Sequence, residues 1–206
     1  MSINVNSTAT SYNFILRNYY SKNRDAAKTV TRGNIKKDEL VTADSDALSK
    51  ISKTLRDLEY SSDNGVGIYN NVKAFTDVYN NLISSTSNSV SYDITHADKL
   101  LKKLVKSKKD ELEDIGISVS ASGKLKLNKE TLLQSSPKKL SNIFSSDSDF
   151  TKKVKYYSGK IYKASNNINL SSAGTVFTPT STPDNTTDNT TGIDTSETKN
   201  TFNALV

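Results

Sequence analysis

Leu48, Ile51, Leu55 and Leu58 recur at intervals of three and four residues. That spacing puts them on one face of a helix and predicts an element over about 44–60. Asp44 or Ser45 offers the side-chain oxygen that caps its free N–H groups. SSDNG, beginning at Ser61, breaks the pattern. Ile68, Val72, Phe75, Tyr79 and Leu82 then make the stripe of a second helix, about 67–85. A third is expected over about 95–114, capped by Thr95, with Ala97, Leu100, Leu101, Leu104, Val105, Leu112 and Ile115 inward. Six lysines between 99 and 109 fall mostly on its other side.

At Gly116 the period changes. The glycine stops the third helix. Ile117-Ser-Val119 and Leu125-Lys-Leu127 alternate on either side of ASGK, which predicts a β-hairpin with Gly123 at positive φ. Asn128 caps a short helix, about 129–135. Pro137 opens another at its first turn, with Leu140, Ile143 and Phe144 inward. A last helix, about 148–165, is capped by Asp147 or Ser148 and lined by Phe150, Val154, Tyr157 and Ile161. The expected fold is mainly α: an antiparallel helical bundle with one small β-hairpin at about 117–127.

Both ends lack this periodicity. Residues 1–43 carry an aromatic knot, Tyr12, Phe14, Tyr19 and Tyr20, followed by basic polar sequence. They are expected to form a partly ordered arm. The arm either packs its aromatics on the body or orders on a partner. Residues 44–168 form the expected helical domain. Residues 169–206 are expected to be a disordered tail, since eleven threonines between 171 and 201, with many Asn and Asp, build no core. The tail ends in Phe202, Ala204, Leu205 and Val206, read either as a frayed end or as a docking tag.

Composition narrows the function. Only 34% of the 206 residues are apolar, so the core must be narrow or confined to part of the chain. There is no cysteine and a single histidine, His96. Disulfides, Cys/His nucleophile pairs and His-rich metal sites are thereby excluded. The pairs Glu111/Asp114 and Asp147/Asp149 suit surface or capping roles. Gly65-Val-Gly67 lacks the rest of a phosphate loop, and DNTTDNTTGID, 184–194, lacks the acid spacing of a calcium loop. No catalytic, cofactor or metal-ligating residue is assigned, and no small-molecule substrate is expected. No apolar run approaches the length of a membrane span, and the start, MSINVNSTATSYNFILRNYY, does not read as a conventional signal peptide. Membrane insertion is not expected.

Net charge is +6, unevenly spread. Residues 17–37 hold seven basic residues against Asp25, residues 138–163 hold seven lysines against two aspartates, and 171–206 is acidic. Lys152, Lys153, Lys155, Lys160 and Lys163 interleave with Tyr156, Tyr157 and Tyr162, a pattern that suits nucleic acid. Arginine is scarce and no nucleic-acid motif is present, so a nucleic-acid partner ranks below a protein one.

Three segments carry a family resemblance. VKAFTDVYNNLIS, 72–84, is similar to a recurrent "V..FV..YN.L" helix. DELEDIGISVSASGKLKLNKETL, 110–132, is similar to a helix end, "lGI" strand, turn and "GkL.lD...L" pattern. KKLSNIFSSDSDFTKKVKYY, 138–157, follows with a short helix, "lF.." and a further helix. Together they resemble the C-terminal domain of the flagellar filament cap proteins, the family of the second hook-associated protein. The match covers about half the chain, from Ile68 to about Asn166, and its middle segment is the most specific. Asn128 stands where the family often has aspartate. The outer β-rich domains and long terminal helices of cap proteins have no counterpart, so the resemblance implies the helical core domain and not a complete cap.

The resemblance implies a flagellum-associated structural or interaction protein without enzymatic activity. Its partners would be flagellin, hook-associated subunits or further copies of itself in a homo-oligomer. It would be secreted to the flagellum or the medium without a cleaved signal peptide. The alternative is a non-flagellar helical binding or regulatory protein, in the cytoplasm. Exposed aromatics favour interfaces, which nominates Tyr12, Phe14, Tyr19, Tyr20, Tyr60, Tyr69 and Tyr156.

Overall fold

A computed structural model describes the backbone of residues 5–173 and the side chains of 12–171. The expected tail and its apolar terminus lie almost wholly outside the described residues. The chain divides into two units, Met1–Thr175 and Val176–Val206, and every element below belongs to the first.

The fold is mainly helical with one antiparallel hairpin, as the periodicity predicts. Its first helix, α1, spans Val5–Tyr19, inside the segment expected to form a partly ordered arm. A 3-10 turn, Arg24–Ala27, and the single helical turn α2, Thr29–Arg32, lead to α3, Lys37–Asp57. α3 starts seven residues before the expected boundary at 44. Asp38 and Glu39 in its first turn favour a start there, because they face the positive end of the helix dipole. Asp44 therefore caps nothing. It lies inside the helix, fully buried, and its carboxylate serves a different purpose.

That purpose is an ion pair. Arg32 donates from Nη1 to Asp44 Oδ1 at 2.8 Å and from Nη2 to Oδ2 at 2.7 Å. Tyr20 adds its hydroxyl to Oδ1 at 2.7 Å and accepts from Asn81 Nδ2 at 3.0 Å. Four segments are thus tied through one carboxylate. Burial opposes the charge on Arg32, but the hydrogen bonds and negative charge of Asp44 outweigh it and raise the guanidinium pKa.

α4, Gly65–Thr86, returns antiparallel to α3, and its whole predicted stripe is buried. α5, Tyr92–Ser107, and α6, Lys109–Glu113, replace the single third helix expected over 95–114. The backbone breaks at Lys108 (φ −108°, ψ 18°). Thr95 is not the cap either. It sits in the first turn with its hydroxyl donating to Ser91 O at 3.0 Å.

The strands β1, Ile117–Val119, and β2, Leu125–Leu127, pair with Ile117 opposite Leu127 and Val119 opposite Leu125. Both glycines fall where expected: Gly116 has φ +83° and Gly123 has φ +80°. Asn128 caps α7, Lys129–Gln134, by accepting from Thr131 N at 3.0 Å. α8, Pro137–Phe144, begins on its proline, and α9 runs Asp149–Ala173, eight residues beyond the expected end.

α3 is the central helix, packed most extensively on α9 and α4. Phe75, Phe144 and Phe150 form an edge-to-face cluster at centroid distances of 5.7–6.2 Å. Beside its apolar side chains the interior also holds small polar ones. Ser45, Ser52, Thr76 and Thr86 are buried with hydroxyls bonded to the carbonyl four residues earlier on their own helices. A hydroxyl satisfied in this way is buried without the full desolvation penalty. This is how a chain of modest apolar content closes a core.

Candidate interaction surface

The seven nominated aromatics do not form one surface. Tyr20 is 1% exposed and belongs to the Asp44 network, so it is a core residue and offers nothing to a partner. Tyr12 is half-buried. Its hydroxyl bonds to Asp77 and its ring lies 3.8 Å under Lys73 Nζ. Burial first, then the bond to Asp77 and its charge, push the Tyr12 phenol well above the ordinary tyrosine value of 10.0. Tyr19 donates to Asn71 Oδ1 at 2.7 Å, and burial raises its pKa as well. Tyr60 is half-buried and donates to Leu55 O at 2.6 Å, closing the end of α3, with burial again raising its pKa. These three are pins that fasten segments to the body. Tyr69 is half-buried, with Lys129 Nζ 5.3 Å from its ring centroid across the α4–α7 junction.

Two of the seven remain open. Phe14 is 65% exposed on α1 and Tyr156 is 58% exposed on α9. Tyr156 stands at a groove of about 530 Å³ between α5 and α9. Its ring meets Tyr157 edge to face at 5.4 Å, and Lys160 Nζ lies 5.2 Å from its centroid. From α5, His96 lines the same groove and stacks on Tyr92 at 5.5 Å with the rings 14° apart. Tyr92 itself is 75% exposed. Leu100, Ala97 and Ala164 complete a partly apolar floor, and Asp93, Lys163 and Asn167 supply polar groups around it.

The groove thus combines aromatic rings and aliphatic carbon with a mixed polar margin. The sequence nominates Tyr156 as an interface residue and sets Lys160 beside it only in a nucleic-acid pattern, and it nominates neither Tyr92 nor His96. The signal was present: Tyr92 with His96, and Tyr156 with Lys160, stand at i and i+4, the spacing of facing side chains on a helix. What the sequence does not state is that α5 and α9 lie side by side.

Among the described residues no group of three or more acidic or histidine side chains assembles in metal-binding geometry. No helix among them is long and apolar enough to cross a membrane. No protein-family model, curated protein or solved structure matches this chain.

Proposed function

We propose that this protein is a non-enzymatic structural or interaction component of the bacterial flagellum. It acts through protein–protein contacts in the manner of a filament-cap C-terminal domain. The observation that carries the reading is the joint between α6 and α7. Its residues are those on which the resemblance rests. Helix end, positive-φ Gly116, strand, turn, strand and Asn128 cap all fall at the spacing the cap pattern asks for. Tyr92, His96 and Tyr156 are the groups through which flagellin, a hook-associated subunit or a second copy would engage the body.

Deletion of the gene tests this, with filaments imaged, motility scored and the culture medium assayed for the protein. The expected result is shortened or absent filaments, with the protein found outside the cell in the parent strain. A protein that stays cytoplasmic, in a strain whose filaments assemble normally without it, would sink the flagellar reading.

A further inference from the structure

α5 has a second open flank, turned away from the aromatic groove. Lys99, Lys103 and Lys106 follow one another at four and three residues, so their side chains line up along one side of the helix. Lys102 and Lys109 flank them but are engaged, with Asp98 at 2.6 Å and Glu113 at 3.7 Å. Among the described residues Lys99, Lys103 and Lys106 form no ion pair. Three like charges are held in line without local compensation, which attracts an anionic partner and disfavours a cationic one.

The hairpin gives this charge a shape. The segment from Val119 to Gly123 faces the lysines across a groove of about 520 Å³. Its apolar lining comes from Val119, Ala121 and the aliphatic stem of Lys102, which lies beside Gly123. Its margin is cationic, with the Ser120 and Ser122 hydroxyls opposite the lysines. The turn is not free to swing away. Tyr79 donates to Gly123 O at 3.0 Å, and Asn80 bonds both backbone groups of Leu125 at 2.8 Å.

The class of partner follows from what the groove contains and omits. It is lined by neither an aromatic ring nor an arginine, so it offers no base stacking and no bidentate phosphate fork. Its apolar side chains are few and small, a half-buried Val119 and an exposed Ala121, whereas membrane-surface binding needs large projecting apolar groups. An apolar lining beside a cationic margin complements a chain that carries both apolar and acidic side chains. We infer that the groove between α5 and the hairpin turn docks an acidic protein segment. The segment's carboxylates pair with Lys99, Lys103 and Lys106 while its apolar side chains seat on Val119 and Ala121. This rests on the protein-contact part of the function proposed above and is independent of the flagellum. It is tested on purified protein, so its failure leaves the deletion experiment untouched.

The test uses the full chain and a fluorescent peptide alternating glutamate and leucine, with binding read by anisotropy. Binding should weaken as salt rises, because these charges are solvent-screened. K103E/K106E should weaken it by about tenfold or more, the scale of 1.4 kcal/mol or greater. K103Q/K106Q should weaken it less. The reversal K152E/K153E on α9, equal in charge but at residues that do not line the groove, should leave it within about twofold of the parent. All three pairs are surface changes, and circular dichroism confirms the fold of each. Absence of peptide binding overturns the inference, and so does an equal loss in the α9 reversal, which would mean net charge alone. Tighter binding of oligothymidylate or phosphatidylserine vesicles, dependent on Lys103 and Lys106, would replace the acidic segment with a nucleic acid or a membrane.

Discussion

Gly116 is held by two constraints at once. Its φ of +83° is a left-handed conformation that side chains resist. A methyl group there would also stand 2.8 Å from Thr131 Cβ and 3.0 Å from Asn128 O. Gly123 has the same backbone requirement, but a methyl group would meet only the flexible stem of Lys102 at 3.4 Å. G116A should therefore cost about 2–4 kcal/mol, strain plus crowding, and G123A only about 1 kcal/mol. Urea unfolding of the two variants checks the difference. Both glycines are legible in the sequence as places where the chain reverses. The crowding at Gly116 is not, because Thr131 and Asn128 reach it only once α7 has folded back. Asp44 shows the same limit. An acid before an apolar period reads as a cap, and nothing local reveals that Arg32 and Tyr20 arrive to bury it.

The hairpin is too short to stand alone, since three residues per strand give little cross-strand stabilisation. Asn80 supplies what the ladder lacks, accepting from Leu125 N and donating to Leu125 O, both at 2.8 Å. N80A leaves both backbone groups of a buried residue unpaired and should destabilise the protein by about 1–3 kcal/mol. Hydrogen exchange at Leu125 should quicken by more than at residues of α3. The strands themselves are visible in the change of period at Gly116. α1 is harder to see, although Tyr12, Ile15, Leu16 and Tyr19 do stand at helical spacing and pack on the core. Tyrosine serves core and surface alike, so the spacing alone does not commit the segment to a helix.

The body as a whole is fastened by phenols. Burial raises the pKa of Tyr12, Tyr19, Tyr20, Tyr60 and Tyr79 above the ordinary 10.0, with Asp77 and Asp44 adding to the effect at Tyr12 and Tyr20. The unfolded chain releases these protons near pH 10 while the folded one keeps them. Stability should be fully present below that pH and fall progressively above it. Denaturant midpoints at neutral pH and on either side of pH 10 check this, and a flat profile to pH 11 would contradict it. The closure of the body sets a second whole-molecule property. α3 is completed against α9, where Thr42 and Ser165 share a hydrogen bond at 2.6 Å across 123 residues of sequence, and Ser165 also donates to Asp38 O. On the ribosome that stretch takes roughly 6–25 s to make. For that interval one flank of α3 has emerged and its mate has not. The nascent protein spends those seconds with an unclosed seam, and the moment that seam shuts is set by the emergence of α9.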